Sequence, residues 1–198
     1  MMYYYLYWSF KRTLDILVCL FLFPILIIMI IVLFFLNLRY NKGSIFFIQK
    51  RMGKNCKPFY AVKFRTMKSV ILMERKFSDP LEVDRVTELG HLLRKTKLDE
   101  LPQILNVIKG DMSLIGPRPD YYEHALSFIE RVPAYEGRHS IRPGISGLSQ
   151  IRLGYAEGLS ATKKKSRVDL FYIKNAGFKL DLKIFFATLW LIMKEIRK

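Results

Sequence analysis

From Ile16 to Leu36 the chain runs 21 residues without a charge, nearly all Leu, Ile, Val, Phe and Met. That length crosses a hydrocarbon core of about 30 Å, so the first element predicted is a membrane helix. The run exceeds the apolar stretch of a cleavable signal and no small-x-small site follows it, so the segment is expected to be retained. Tyr3, Tyr4, Tyr5, Tyr7 and Trp8 precede it as an interfacial aromatic belt. Both flanks are basic, with Lys11 and Arg12 before it and Arg39, Lys42, Lys50 and Arg51 after it. Because Lys and Arg favour the cytoplasmic side, both ends prefer the same side. Pro24, inside the run, removes one helix hydrogen bond and favours a kink. A bent helix that enters and returns satisfies both features, while the residues alone leave a single span with a tolerated proline equally open. Arg12 and Asp15 have the i, i+3 spacing of an ion pair at headgroup level.

The remaining pattern changes period several times. Ile45–Gln49 and Pro58–Arg65 read as two strands, with a turn at Gly53-Lys54-Asn55, and so as a hairpin. Val70 to Val86 reads as a mobile surface segment around Ser78-Asp79-Pro80. Thr87 or Asp84 caps a helix carrying Leu89, Leu92 and Leu93. Leu101, Ile104, Leu105 and Ile108 then repeat at helical spacing, with Asp99 as the expected N-cap, Pro102 in the first turn and Lys109-Gly110 as the stop. Tyr121–Arg131 is a further helix. Arg142-Pro143-Gly144-Ile145-Ser146-Gly147 reads as a turn leading into a short strand, Leu148–Ile151. A helix through Asp169-Leu170-Phe171-Tyr172 follows. Phe178–Lys198 is amphipathic with ten uncharged residues in a row, Ile184–Met193, too few to span; it suits a helix lying in the membrane interface and equally a core helix with a basic rim.

Charge narrows the partners. Thirty-three Lys and Arg against 17 acids give a net charge of +16, which favours phosphate in nucleic acid, anionic lipid or a nucleotide substrate. Lys163-Lys164-Lys165 reads as a solvated run facing anionic lipid. Cys19 and Cys56 form no disulfide framework, and His91, His124 and His139 have no zinc-ligand spacing. Neither G-x-x-x-x-G-K-[ST] nor G-x-G-x-x-G occurs.

Against this basic background, adjacent carboxylates at Asp99 and Glu100 head a helix. They suit capping and the helix dipole, and they also suit chemistry on a phosphate. Arg118 stands between Pro117 and Pro119, so its planar fork projects from a stiff loop with little ordering cost. Arg142 also stands beside a proline. The hairpin gathers Gln49, Arg51, Lys63 and Arg65 into a positive edge, and Asp169 is an isolated acid placed to pair with a site arginine.

In order along the chain these segments resemble the bacterial sugar transferases, small monotopic phosphoglycosyl transferases. The resemblance rests on Lys11-Arg12-Thr13-Leu14-Asp15, the Pro24 segment, Phe47-Ile48-Gln49-Lys50-Arg51-Met52-Gly53 and Lys63-Phe64-Arg65-Thr66-Met67. It continues through Leu92 to Gln103, Asn106 to Pro119, Arg142 to Gly147 and Asp181-Leu182-Lys183. It implies an α+β, mostly helical fold, with a re-entrant membrane helix in residues 1–38 and a compact cytoplasmic catalytic domain in residues 39–198. That domain would carry the small hairpin and amphipathic interfacial helices. The resemblance also implies that Asp99 is a nucleophile attacking the β-phosphate of a UDP-sugar. UMP would leave, and the phosphosugar would pass from the carboxylate to polyprenyl phosphate.

Magnesium is implied near Asp99 and Glu100, with Glu100 as acid, base or metal organiser. Arg94, Arg118, Arg142, Lys63, Arg65 and Gln150 are the expected phosphate and substrate contacts, and Pro24, Asp169, Pro117 and Pro119 the organisers. The expected setting is the cytoplasmic face of a bacterial inner membrane, with the bilayer as a partner and without nucleic acid. Downstream membrane glycosyltransferases and a dimer are compatible. Phe23 stands where many relatives have Ser before the proline, and Ser149 where relatives often have Ala. No further soluble domain accompanies the motifs, which reads as a minimal form. The rival class is a membrane-tethered binding protein whose basic face holds nucleic acid or anionic lipid. It explains the charge but not the Asp-Glu pair among proline-fixed arginines.

Overall fold

The apolar run forms α1, a 39-residue helix from Met2 to Tyr40 that continues through Pro24. The structure is a computed structural model and describes residues 2–68, 83–154 and 158–197. Along α1 the buried side chains Tyr7, Lys11, Asp15, Cys19, Leu26, Leu33 and Asn37 recur every four or seven residues and form one stripe against the rest of the protein. Phe21, Ile28, Ile31 and Phe35, off that stripe, are more than half exposed. A helix apolar on its outer side as well as its packed side suits lipid, and α1 is long and apolar enough to cross a membrane.

Both ends of α1 are fastened to the same body. Tyr7 Oη and Lys11 Nζ donate to Asp181 at 2.8 and 2.6 Å, in the C-terminal helix. Just past the other end, the carbonyls of Asn41 and Lys42 accept from Arg65. The expected Arg12–Asp15 pair is replaced by longer-range bonds. Asp15 accepts from Ser113 Oγ at 2.7 Å and Leu114 N at 3.2 Å, and Arg12 donates to the Ile108 carbonyl. Buried carboxylates take whatever donors the packing supplies, and here those are backbone and hydroxyl groups.

β1 (Phe46–Met52) and β2 (Pro58–Phe64) form the expected antiparallel hairpin, with Phe47 opposite Lys63, Gln49 opposite Ala61 and Arg51 opposite Phe59. Gln49, Arg51 and Lys63 therefore share one face. α2 (Glu88–Lys95) is capped by Thr87, whose hydroxyl accepts from Gly90 N at 3.0 Å. Most of the segment expected to be mobile between Val70 and Val86 lies outside the described residues.

Asp99 is not the N-cap of the next helix. Lys97, in a left-handed conformation with φ 59°, ends α2, and Leu98–Glu100 form a separate 3₁₀ turn. Pro102, with a pre-set φ and no N–H to satisfy, then opens α3 (Gln103–Lys109). Its buried positions are Gln103, Ile104, Asn106 and Val107, so the face is turned from the expected stripe and Leu105 is exposed. Gly110 at φ 100° ends α3 as expected.

β3 (Ser113–Ile115) pairs in parallel with β4 (Gly144–Ser146). The expected strand at Leu148–Ile151 is instead the start of α5 (Leu148–Leu153), and the strand lies in the preceding residues. A Cβ on Gly144 would sit 2.0 Å from Gly116 N, so only glycine allows this close strand approach. α4 (Tyr122–Arg131), a 3₁₀ turn (Glu136–His139), α6 (Gly158–Lys174) and α7 (Phe178–Arg197) complete the fold. α7 buries Ile184 and leaves Phe185, Phe186, Trp190 and Met193 exposed beside Lys179, Lys183 and Lys194. α7 thus exposes large apolar and basic side chains together.

Candidate active site

Asn106 fixes the site frame. Its side chain donates to the Tyr60 carbonyl at 2.7 Å and accepts from Val62 N at 3.0 Å, so it pairs with the free edge of β2 as another strand would. This double bond holds α3 and the preceding 3₁₀ turn against the hairpin. Lys63 consequently reaches Glu100, donating to Oε1 at 2.7 Å. Arg118 grips the same carboxylate with both Nη atoms, Nη1 reaching Oε2 at 3.0 Å and Nη2 reaching Oε1.

The loop that carries Arg118 is held at each of its three carbonyls by a different element. Pro117 O accepts from Gly144 N at 3.0 Å. Pro119 O accepts from Arg51 at 2.9 Å, and Arg118 O accepts from Arg138 Nη2 at 2.8 Å. Arg138, fully buried, also donates to Asp169 at 2.7 and 2.9 Å and to Asp120. Asp120 takes further bonds from Tyr135 and Lys165, while its backbone carbonyl accepts from Met52 N at the end of β1. Burial alone would raise the Asp120 carboxyl, but Lys165 and Arg138 hold it well below the usual range. His139, beside this network, is pushed down to about 3 by burial and the Arg138 charge, so it is neutral at physiological pH.

Electrostatics separates the two adjacent carboxylates. Burial pushes the Asp99 carboxyl up and the Glu100 charge adds to this, while Lys63, Lys97 and Arg118 pull it back. Asp99 Oδ1 is buried with no hydrogen-bond partner among the described residues. Burial would also raise Glu100, but Arg118 and Lys63 outweigh it and hold that carboxyl far below the usual range. Lys63 is itself pushed down to about 8 by burial and by Arg118, against the pull of Glu100. Neighbouring carboxyls driven in opposite directions are suited to different roles.

Of the residues expected at the site, the structure thus brings together Asp99, Glu100, Lys63, Arg118, Pro117 and Pro119, with Asp169 behind them. Arg65 does not join them, because its guanidinium closes the C-terminal end of α1. Arg142 is exposed and donates to the Gly110 carbonyl at 2.8 Å, at the end of α3 away from Asp99. Arg94 donates to Thr66 Oγ1 at 2.9 Å. Gln150 lies on α5 with a buried Oε1 that finds no partner among the described residues. Pro24 sits within the continuous α1. Lys165, expected as part of a solvated run, is drawn inward by Asp120. Asn106, Arg138 and Asp120 are the organising residues that sequence reasoning missed.

The sequence profile of the bacterial sugar transferase family matches residues 6–195, nearly the whole chain. The chain belongs to this family. As a bacterial sugar transferase it is 39% identical over 184 residues to the UDP-N-acetylgalactosamine-undecaprenyl-phosphate N-acetylgalactosaminephosphotransferase of Aeromonas hydrophila, covering 92% of this chain and 43% of that protein. It is 37% identical over 156 residues to the UDP-glucose:undecaprenyl-phosphate glucose-1-phosphate transferase of Escherichia coli (strain K12), covering 76% of this chain and 33% of that protein. With an uncharacterised sugar transferase of Bacillus subtilis (strain 168), EpsL, the identity is 40% over 182 residues, covering 90% of this chain and 84% of the relative. The chain spans less than half the length of the first two relatives.

Within the described residues of this transferase, no three His, Cys, Asp or Glu side chains converge as a metal cluster. A magnesium ion that keeps most of its waters and binds substrate phosphates needs only one or two carboxylates. Asp99, with its unpartnered Oδ1, fits such a role. Both oxygens of Glu100 already accept from Arg118 and Lys63, so Asp99 is the freer of the two carboxylates for such an ion.

Proposed function

We propose that the protein transfers a sugar-1-phosphate from a UDP-sugar to undecaprenyl phosphate at the cytoplasmic face of the bacterial inner membrane. The observation that carries this reading is a desolvated carboxylate with one unpartnered oxygen, Asp99 Oδ1, beside a fixed Glu100–Arg118–Lys63 cluster. An Asp99 oxygen attacks the β-phosphorus of the UDP-sugar, and the bond from that phosphorus to the α–β bridging oxygen breaks, releasing UMP. A phosphate oxygen of the lipid carrier then attacks the same phosphorus, displacing Asp99 and leaving a diphosphate-linked sugar. Splitting the transfer into two displacements replaces one difficult step with two easier ones. Magnesium held by Asp99 and the substrate phosphates would neutralise charge on the diphosphate. Arg118 and Lys63 contribute fixed positive charge beside the reacting group, where dry surroundings strengthen it. Glu100, kept ionised by these cations, positions them and is poorly suited to give up a proton at neutral pH.

The two-ended fastening of α1 supports a re-entrant helix. Lys11 is tied to Asp181 and the Asn41 carbonyl to Arg65, so both basic flanks are bound to one body. Labelling single cysteines on each flank in intact cells tests this, and opposite accessibilities would exclude it. For the reaction, purified protein in detergent with magnesium, undecaprenyl phosphate and a panel of UDP-sugars is expected to release UMP with at least one sugar. No release with any sugar, together with salt-sensitive nucleic-acid binding, would favour a tethered binding protein.

A further inference from the structure

We infer that Gln103 contacts the substrate, its side-chain amide donating to a non-bridging oxygen of the transferred phosphoryl group; this rests on the phosphosugar-transfer reading above. Gln103 is the first residue of α3 and only 2% exposed. Its Nε2 is buried and has no hydrogen-bond partner among the described residues. The side chain lines a small cavity together with Arg51, Lys63, Arg118 and Pro119. The charged side chains there are donors without acceptor capacity, and the Pro119 carbonyl already accepts from Arg51. Lys63 and Arg118 already donate to Glu100, so it is the Gln103 amide that is left without an acceptor, and an anionic substrate oxygen with several lone pairs supplies one.

A second observation points the same way. Asp99, four residues earlier in the same turn-helix segment, also carries a buried polar atom without a partner. One orphan is an acceptor and the other a donor. A phosphoryl group offers an electrophilic phosphorus to the first and oxygens to the second. A buried amide donor left unpaired lowers stability, so an apolar side chain of equal length would suit the folded protein better unless a ligand uses the donor. Lys63 and Arg118 supply charge, whereas a neutral amide adds direction.

The test compares Gln103→Met, which keeps chain length and removes the donor, with Gln103→Glu, which keeps shape and places negative charge against the phosphate. Full-length protein in detergent is used for UMP release, thermal unfolding and stabilisation by UDP. Gln103→Met is expected to melt a few degrees higher, to lose about a hundredfold in kcat/KM and to be stabilised less by UDP than the wild type. Gln103→Glu is expected to be more impaired still. Activity of Gln103→Met within about threefold of wild type, or of Gln103→Glu near wild type, would overturn the inference. So would a joint loss of stability and activity in Gln103→Met, which would mark the amide as a structural bond. Failure of the transfer reading shows separately, as no UMP release by the wild type. Gln103 is then judged by UDP alone, and equal stabilisation of wild type and Gln103→Met, or none of either, overturns it.

Discussion

Arg138 donates from Nη2 to the backbone carbonyl of Arg118 at 2.8 Å, with the rest of its guanidinium locked between Asp169 and Asp120. A fully buried cation thus sets the position of a second arginine that faces the candidate site. Removing it leaves buried Asp169 and half-buried Asp120 without their shared partner. Arg138→Met is expected to destabilise the protein by about 3–5 kcal/mol, measured by denaturant unfolding in detergent. Arg138→Lys keeps the charge but cannot span both acids and the carbonyl. It is expected to retain more stability than Arg138→Met while lowering kcat more than it raises KM, because Arg118 loses its fixed aim. Equal stability of Arg138→Met and wild type would exclude this role.

Arg118 is a bidentate partner of Glu100, which a single ammonium cannot reproduce. Arg118→Lys keeps the charge and loses the planar fork, so kcat/KM is expected to fall about 10- to 100-fold with little change in melting temperature. Steady-state UMP release checks this. Unchanged kinetics would reduce Arg118 to a connector between two prolines.

Local signals in the sequence carried the elements well where one residue decides the conformation. Thr87 caps α2, Gly110 stops α3, and alternation puts Gln49, Arg51 and Lys63 on one hairpin face. Basic residues were harder to assign, because a guanidinium serves a phosphate or a helix C-terminus equally well. Arg65 and Arg142, expected as phosphate contacts, bond carbonyls at the ends of α1 and α3. Arg138 and Asp169 lie 31 positions apart, and no local periodicity links them. Asn106 had no signal beyond lying on a helix, since its partner is the edge of a strand more than 40 residues earlier.

Asp99 provides a sharper test of the nucleophile. Its carboxylate is buried and one oxygen is unpartnered, so neutralising it removes a desolvation cost. Asp99→Asn is expected to melt no lower than wild type while losing more than about a thousandfold in turnover. Intact-protein mass spectrometry after exposure to UDP-sugar should show a phosphosugar adduct on the wild type and none on the variant. An adduct on Asp99→Asn would move the nucleophile elsewhere.

The pH dependence follows from the opposite shifts around Asp99. Asp99 must be ionised to attack, and its carboxyl is raised above the usual aspartate value of about 3.9. Activity is therefore lost as pH falls through that raised value, at a higher pH than an exposed aspartate would give. Stability runs the other way for this group. Because its folded pKa exceeds its unfolded one, its contribution is fully present below the unfolded value and lost as pH rises through the folded value. Glu100 has the reverse sign, with stability present above its unfolded value and lost only in strong acid, as pH falls through its depressed folded pKa. On the alkaline side Lys63 loses its charge near pH 8 and with it part of the field around the phosphate. UMP release in a single turnover without lipid carrier isolates these groups, since a carrier phosphate titrates near pH 6 by itself. The expected profile is a bell whose alkaline limb lies near 8, and Lys63→Arg should remove that limb because a guanidinium stays protonated. An unshifted acid limb, or an alkaline limb that survives Lys63→Arg, would show that other groups control the step.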